Sequence, residues 1–201
     1  MKNITYYWGN PDISVKFCEE KYKTYFWIAE YHNTISAFAY LFVGLFFYNT
    51  KIRTLSYYLF FMGISTMIMH TTLRYYGQIL DELSIIFILH ENIKRLYKHN
   101  YYLFLINNVI IYLLFHNNYL IFLSIFSCYK ALILKKLCFK KIFKINEKVF
   151  IYIYYFYYFL AWTCWLLDQT ICGYFKNIEF HALWHYFSAI SLFFAFYTFI
   201  I

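Results

Sequence analysis

His181 and His185 stand four residues apart in Phe180-His181-Ala182-Leu183-Trp184-His185, a spacing that projects both imidazoles from one helix face, about one turn from each other. Alone the pair says little, because a chain with seven histidines produces such spacings by chance. A third imidazole, His70, and a carboxylate, Asp81, fall at matching depth once the helices between them alternate in direction. Three neutral histidines with a fourth position left to water form a catalytic zinc site, where the pKa of the bound water falls to about 7. Asp81 and Glu82 equally suit the positive end of a helix that starts beside them, so the sequence leaves both readings of Asp81 open. Thr66, four residues before His70, shares that ligand's helix face, whereas Ser65 points about 100° away. Its hydroxyl either donates to an oxyanion beside the metal or bonds back to its own helix carbonyl. Asp168 reads as a polar stop at the end of a helix, and His32, His90, His99 and His116 have no convergent partner in the pattern.

The elements that must position these groups are membrane spans. The 201 residues are 63% hydrophobic and 27% aromatic but only 14% charged, well below the roughly 25% of soluble domains. Apolar runs near the ~20 residues needed to cross a bilayer recur along the chain. They predict seven helices: Trp27 to Tyr48, Thr54 to Leu73, Ile79 to Leu96, Tyr101 to Phe115, Tyr119 to Leu134, Val149 to Leu167 and Phe180 to Ile201. The expected fold is an all-α, polytopic membrane protein, a seven-transmembrane-helix bundle. Residues 1–26 form an N-terminal lumenal segment and 27–201 the membrane domain. Met1 to Tyr25 lacks the apolar core of a signal peptide, so the first span is expected to act as its own insertion signal. The 25 Phe and 25 Tyr look like a bias of the coding sequence, which leaves single aromatics a structural reading.

Charge sets the orientation. Lys51, Arg53, Lys94, Arg95, Lys98, Lys130, Lys135, Lys136, Lys140, Lys141, Lys144 and Lys148 are assigned to one side of the seven spans, 12 of the 18 basic residues. By the positive-inside rule that side and the C-terminus are cytoplasmic, and the N-terminus is lumenal. Eight of the ten acids, among them Asp12, Glu19, Glu30, Asp81 and Asp168, fall on the lumenal side. The net charge of +8 is then a signal of topology and of contact with anionic membrane lipids, not of nucleic-acid binding.

Several segments, taken in order, resemble the alkaline ceramidases, a family of seven-span hydrolases related more distantly to adiponectin-type receptors. They are Tyr7-Trp8-Gly9, Cys18-Glu19-Glu20-Lys21-Tyr22, Ile28-Ala29-Glu30-Tyr31-His32-Asn33-Thr34, Thr66-Met67-Ile68-Met69-His70, Leu80-Asp81-Glu82-Leu83 and Phe180 to His185. The resemblance implies zinc held by His70, His181 and His185, with Asp81 handling protons. It also implies hydrolysis of ceramide, or a related lipid amide, to a sphingoid base and a fatty acid by metal-activated water, in a membrane of the endoplasmic reticulum or Golgi. It implies a disulfide between Cys18 and Cys172.

Departures are equally specific. The family's helix 2 serine is Thr66 here. Its calcium site maps to Glu19, Glu30 and the Phe17 carbonyl, but Lys16 and Lys21 replace an aspartate and an asparagine. Ammonium groups supply no oxygen ligand and repel a hard cation, so the expectation is that a lysine replaces Ca2+ and pairs with Glu19 and Glu30. Two other readings follow from the same segments: a membrane receptor of the adiponectin type, or a ceramidase homologue that has lost catalysis.

Overall fold

The computed structural model describes residues 6–139, 145–171, 174 and 178–201. Among them the regular elements are helices: α1 Tyr31–Ser36, α2 Phe38–Phe47, α3 Arg53–Thr72, α4 Tyr75–Tyr97, α5 Tyr102–Leu114, α6 Tyr119–Phe139, α7 Ile145–Thr170 and α8 Phe180–Tyr197. Ala37, which separates α1 from α2, keeps right-handed helical angles (φ −63°, ψ −20°), so the two run on as one rod. The seven rods correspond to the seven expected helices.

Local chemistry ends each rod. Leu73 closes α3 in the left-handed region (φ 52°), its N–H bonded to the Met69 carbonyl at 2.7 Å, and α4 starts two residues later. This hairpin is tight because residue 77 is glycine: a Cβ there would meet the Met69 Cα at 2.7 Å. The sharp return sets the phase of His70 on α3 against Asp81 on α4. Lys98 and Tyr101, both left-handed, end α4 and start α5. Asn118 begins α6, its Oδ1 accepting the Leu120 N–H at 3.1 Å, as an N-capping asparagine does.

The rods pack in the order α7, α8, α1 with α2, α3, α4, then α5 and α6. One apolar core joins α2, α3 and α8 through Phe47, Leu55, Leu59 and Phe196. A second joins α4, α5 and α6 through Ile86, Leu89, Tyr112 and Tyr129. Among the described residues α6 and α7 do not pack backbone against backbone. Aromatic side chains bridge them instead, Tyr119 with Trp165 and Phe126 with Trp162, their ring centroids 6.2 and 5.8 Å apart. The space between the two cores stays open as a cavity.

The outer surface is apolar, with Phe42, Leu45, Leu103, Tyr152, Phe156 and Phe159 all exposed. By length and composition one described helix, Lys148–Thr170, is apolar enough to cross a membrane, and Tyr102–Leu114 is apolar but shorter. The central helices fall below that standard because they carry the polar interior, such as Gln78, Glu82, His90 and Glu91 on α4.

Two details differ from expectation. The first helix starts at Tyr31, not Trp27, because the preceding residues run along the end of α3: the Ala29 N–H bonds the Thr71 carbonyl and the Glu30 N–H that of His70. Lys130, counted with the cytoplasmic loop residues, lies inside α6 and is buried. The helix continues past Leu134 to Phe139, so Lys130 falls near its middle.

The N-terminal segment covers the end of the bundle where α3 and α7 finish and α4 begins. The Asp12 N–H bonds the Leu73 carbonyl, and its carboxylate pairs with Arg74 at 2.8 Å. Ser14 bonds Gln78 through its N–H, and the Lys16 carbonyl accepts from Gln169. Val15 and Phe17 pack beneath, against Met69.

Candidate metal centre

His70 arrives near the end of α3, and His181 and His185 on the first two turns of α8. All three are buried, at 1%, 5% and 2% exposure, and their candidate ligand atoms lie within 4.8 Å of one another. Nitrogens about 2.1 Å from one ion stand about 3.4 Å apart in a tetrahedral shell, so small ring rotations would close the set.

Neighbouring groups orient the rings. Glu30 Oε2 lies 2.6 Å from His70 Nδ1, which puts the proton on Nδ1 and the lone pair on Nε2. Ser36 Oγ lies 2.7 Å from His185 Nδ1. Because the Ser36 hydroxyl already donates to the Asn33 carbonyl at 2.9 Å, it accepts from His185, again leaving Nε2 free. His181 Nδ1 is buried with no hydrogen-bond partner among the described residues. Such orphans are uncommon in interiors and require an explanation. A metal ion supplies one, and an all-imidazole donor set buried in this way suits zinc.

Glu30 is fully buried. Besides His70, its carboxylate accepts from Asn33 Nδ2 at 3.0 Å and pairs with the Lys21 ammonium, which also donates to the Phe17 carbonyl at 2.9 Å. Lys21 therefore contacts two of the three oxygen sources assigned to the cation site. Glu19, the third, forms no ion pair with Lys21 among the described residues. Its carboxylate accepts the N–H groups of His32 and Asn33, at 2.6 and 2.8 Å, and so caps the first turn of α1. Burial raises the Glu19 carboxyl above the usual range, opposed by those two donors.

Asp81 and Thr66 line the same cavity as the three histidines. Thr66 Oγ1 faces both Asp81 Oδ1 and the Met62 carbonyl, the latter at 2.8 Å. Its single hydrogen serves one of these at a time, which places the Thr66 hydroxyl within reach of the Asp81 carboxyl. Glu82, read in sequence only with the helix dipole, also faces the cavity, where Gln78 donates to it at 2.8 Å. The cavity encloses about 110 Å³ of free space and is mainly apolar, with Met62, Ile88, Phe122 and Phe126 among its walls.

Sequence reasoning named Glu30 for a cation site but missed its contact with His70, and it missed Ser36 beside His185. Glu30, Asn33 and Ser36 recur every third residue on one helix face, and a polar stripe of that kind needs polar partners inside the bundle. Asp168, read as a polar stop, is buried and accepts the Cys18 N–H at 3.4 Å, fastening the N-terminal segment to α7. His116 packs on Tyr75 with ring centroids 4.2 Å apart, away from the histidine cluster. Cys128 and Cys164 are free thiols. The expected pairing of Cys18 with Cys172 lies outside the described residues, since Cys172 does.

The same arrangement of segments is met in known proteins. The Ceramidase family model matches residues 9–201. The chain belongs to the ceramidase family. Among curated relatives of this ceramidase homologue is dcd3B of Dictyostelium discoideum, named as an alkaline ceramidase. It is 24% identical over 241 aligned positions that cover 92% of this chain and 85% of the relative. Alkaline ceramidase 1 of Mus musculus is 26% identical over 201 positions, covering 85% of this chain and 73% of its own. The matched range, residues 9–201, spans the positions of the three clustered histidines, Asp81, Thr66 and Glu30.

Proposed function

We propose that this member of the ceramidase family is a zinc-dependent hydrolase embedded in a membrane, cleaving the amide bond of ceramide to a sphingoid base and a fatty acid. The observation that carries the reading is the convergence of three buried imidazoles in the wall of an apolar cavity that Asp81 also lines. When bound, zinc supplies Lewis-acid polarisation of the amide carbonyl and a water acidic enough to deprotonate near neutral pH. Asp81 accepts the proton from the attacking water and returns it to the amine nitrogen as the C–N bond breaks. Thr66 fixes the rotamer of that carboxyl. Glu30 and Ser36 fix the tautomers of His70 and His185, so that the ligand nitrogens face one point. The hydrocarbon of the substrate lies in the cavity and enters between α6 and α7, where side chains alone divide the cavity from the outside.

The apolar outer surface, the Lys148–Thr170 helix and seven alternating rods support a seven-span topology with the N-terminal segment lumenal. On that side Cys18 and Cys172 meet oxidising conditions suited to a disulfide. Membrane lipids surround the protein, and no feature directs it to nucleic acid. Purified protein tests the activity: zinc near one equivalent, with hydrolysis of a short-chain fluorescent ceramide, is the expected result. Zinc retained without hydrolysis of any lipid amide would overturn the enzymatic reading in favour of a receptor or scaffold.

A further inference from the structure

Among the described residues, Lys130 is the one lysine or arginine in the buried interior, at 9% exposure. It lies eleven residues along α6 from Tyr119, about 16 Å at 1.5 Å per residue, and both residues line the cavity below the histidines. On α8 the lining runs from His181 to Leu192, the same number of residues. The cavity is therefore long and narrow, with the metal ligands at one end and Lys130 at the other. A smaller cavity lined by Asn92, Tyr154 and Thr198 begins on the far side of the same lysine.

The ammonium stands over three aromatic rings, 4.5 Å from the centroid of Tyr158, 5.5 Å from Phe126 and 5.8 Å from Tyr154. No carboxylate pairs with it among the described residues. Glu91, one α4 turn below the cavity wall, is held by Lys94 and Arg95 at 3.1 and 2.9 Å, and Asp81 and Glu82 belong to the opposite end of the cavity. Aromatic faces accept a cation but leave its N–H donors without oxygen partners. An ionisable group at membrane depth that faces a cavity is read by default as functional, with its partner to be named. The partner missing here is an oxygen acceptor, and the cavity is shaped to deliver it on the end of a hydrocarbon chain.

We propose that Lys130 is a specificity-determining residue, its ammonium binding a hydroxyl or carboxylate oxygen at the distal end of the substrate's hydrocarbon chain. The inference rests on the lipid amide hydrolase reading and names the class of lipid preferred: amides whose chain reaches the floor of the cavity and ends in oxygen.

The test compares two ceramides of equal acyl length, one ending in a methyl group and one in an ω-hydroxyl, with zinc-replete protein in detergent. The expected wild-type ratio of kcat/KM favours the ω-hydroxyl chain about tenfold or more, as hydrogen bonds to charged groups do. In Lys130→Met the ratio should fall to about one or reverse. A wild-type preference for the methyl end, or a ratio that Lys130→Met leaves unchanged, would overturn the proposal. Failure of the enzymatic reading shows separately, as absence of turnover of a short-chain ceramide by the wild type. In that event binding of the same two lipids, followed by the fluorescence of Trp165 and Trp184 in the cavity wall, makes the same comparison without turnover.

Discussion

Replacing Glu30 with glutamine tests the link between the two halves of the site. Glutamine keeps the shape of the side chain but removes its charge. It also offers His70 an oxygen in only one of two amide orientations, the other presenting an NH₂ donor to an Nδ1–H. In the wild type one carboxylate oxygen faces His70 and Asn33 while the other pairs with Lys21. Removal of such a ligand-orienting carboxylate typically lowers metal affinity about 10–100-fold, equivalent to roughly 1.4–2.7 kcal/mol. Stability falls as well, because Lys21 loses its counter-ion. Breaking a fully buried pair costs about 3–5 kcal/mol, but the Lys21 side chain is 24% exposed, so solvent and screening reduce this to about 1–2 kcal/mol. That corresponds to a drop of about 2–8 °C in Tm.

Both effects are measurable on purified protein in one detergent, zinc affinity by competition with a chelator and Tm by tryptophan fluorescence. The double variant Glu30→Gln with Lys21→Met separates them. Removing the stranded ammonium should return most of the lost Tm while zinc affinity stays low. Glu30→Gln binding zinc as tightly as the wild type would refute the claim that Glu30 orients His70.

Other outcomes follow from the same geometry. His181→Ala should lose most of its bound zinc in metal analysis, and Asp81→Asn should keep it while kcat falls about 10²–10⁴-fold, as expected for loss of a general base. Thr66→Val should lower kcat with little change in zinc content, and Thr66→Ser should recover it, since only the hydroxyl reaches Asp81; equal loss in both would remove the positioning role. Adding millimolar calcium to zinc-replete protein should leave hydrolysis unchanged, because Lys21 already neutralises Glu30, whereas a zinc chelator should abolish it.

The helices and the clustering of His70, His181 and His185 were legible in the sequence because each rests on a local pattern. Apolar runs interrupted by polar clusters marked the seven rods, and the i,i+4 spacing of His181 and His185 is a property of one helix. His70 needed only the alternation of rods to fall at the same end. Ser36 was not legible, since its role depends on how α1 rolls against α8, a contact between residues 149 apart. Lys130 was counted with the basic residues of the cytoplasmic side although the expected helix, Tyr119 to Leu134, contains it. Only the packing of Phe126, Tyr154 and Tyr158 shows where the ammonium lies. Thr66 shows the limit in another way. Its helix face was readable, but whether its hydroxyl meets an oxyanion, a carbonyl or Asp81 depends on the return angle of α4, which Gly77 sets.

Glu30 explains why a lysine can stand where related chains are expected to hold a divalent cation. A fully buried carboxylate is too costly to leave unpaired, and its partner must also leave one oxygen for His70. A divalent ion meets both needs only while its concentration exceeds its dissociation constant. A lysine nine residues away in the same chain meets them at all times, because its effective concentration is fixed by the connecting loop. Glu19 then has no cation to ligate and is free to cap α1, as its two backbone donors show. The Lys21–Glu30 pair and the capping of α1 by Glu19 are on this account one arrangement, in which the brace on His70 is a covalent part of the fold.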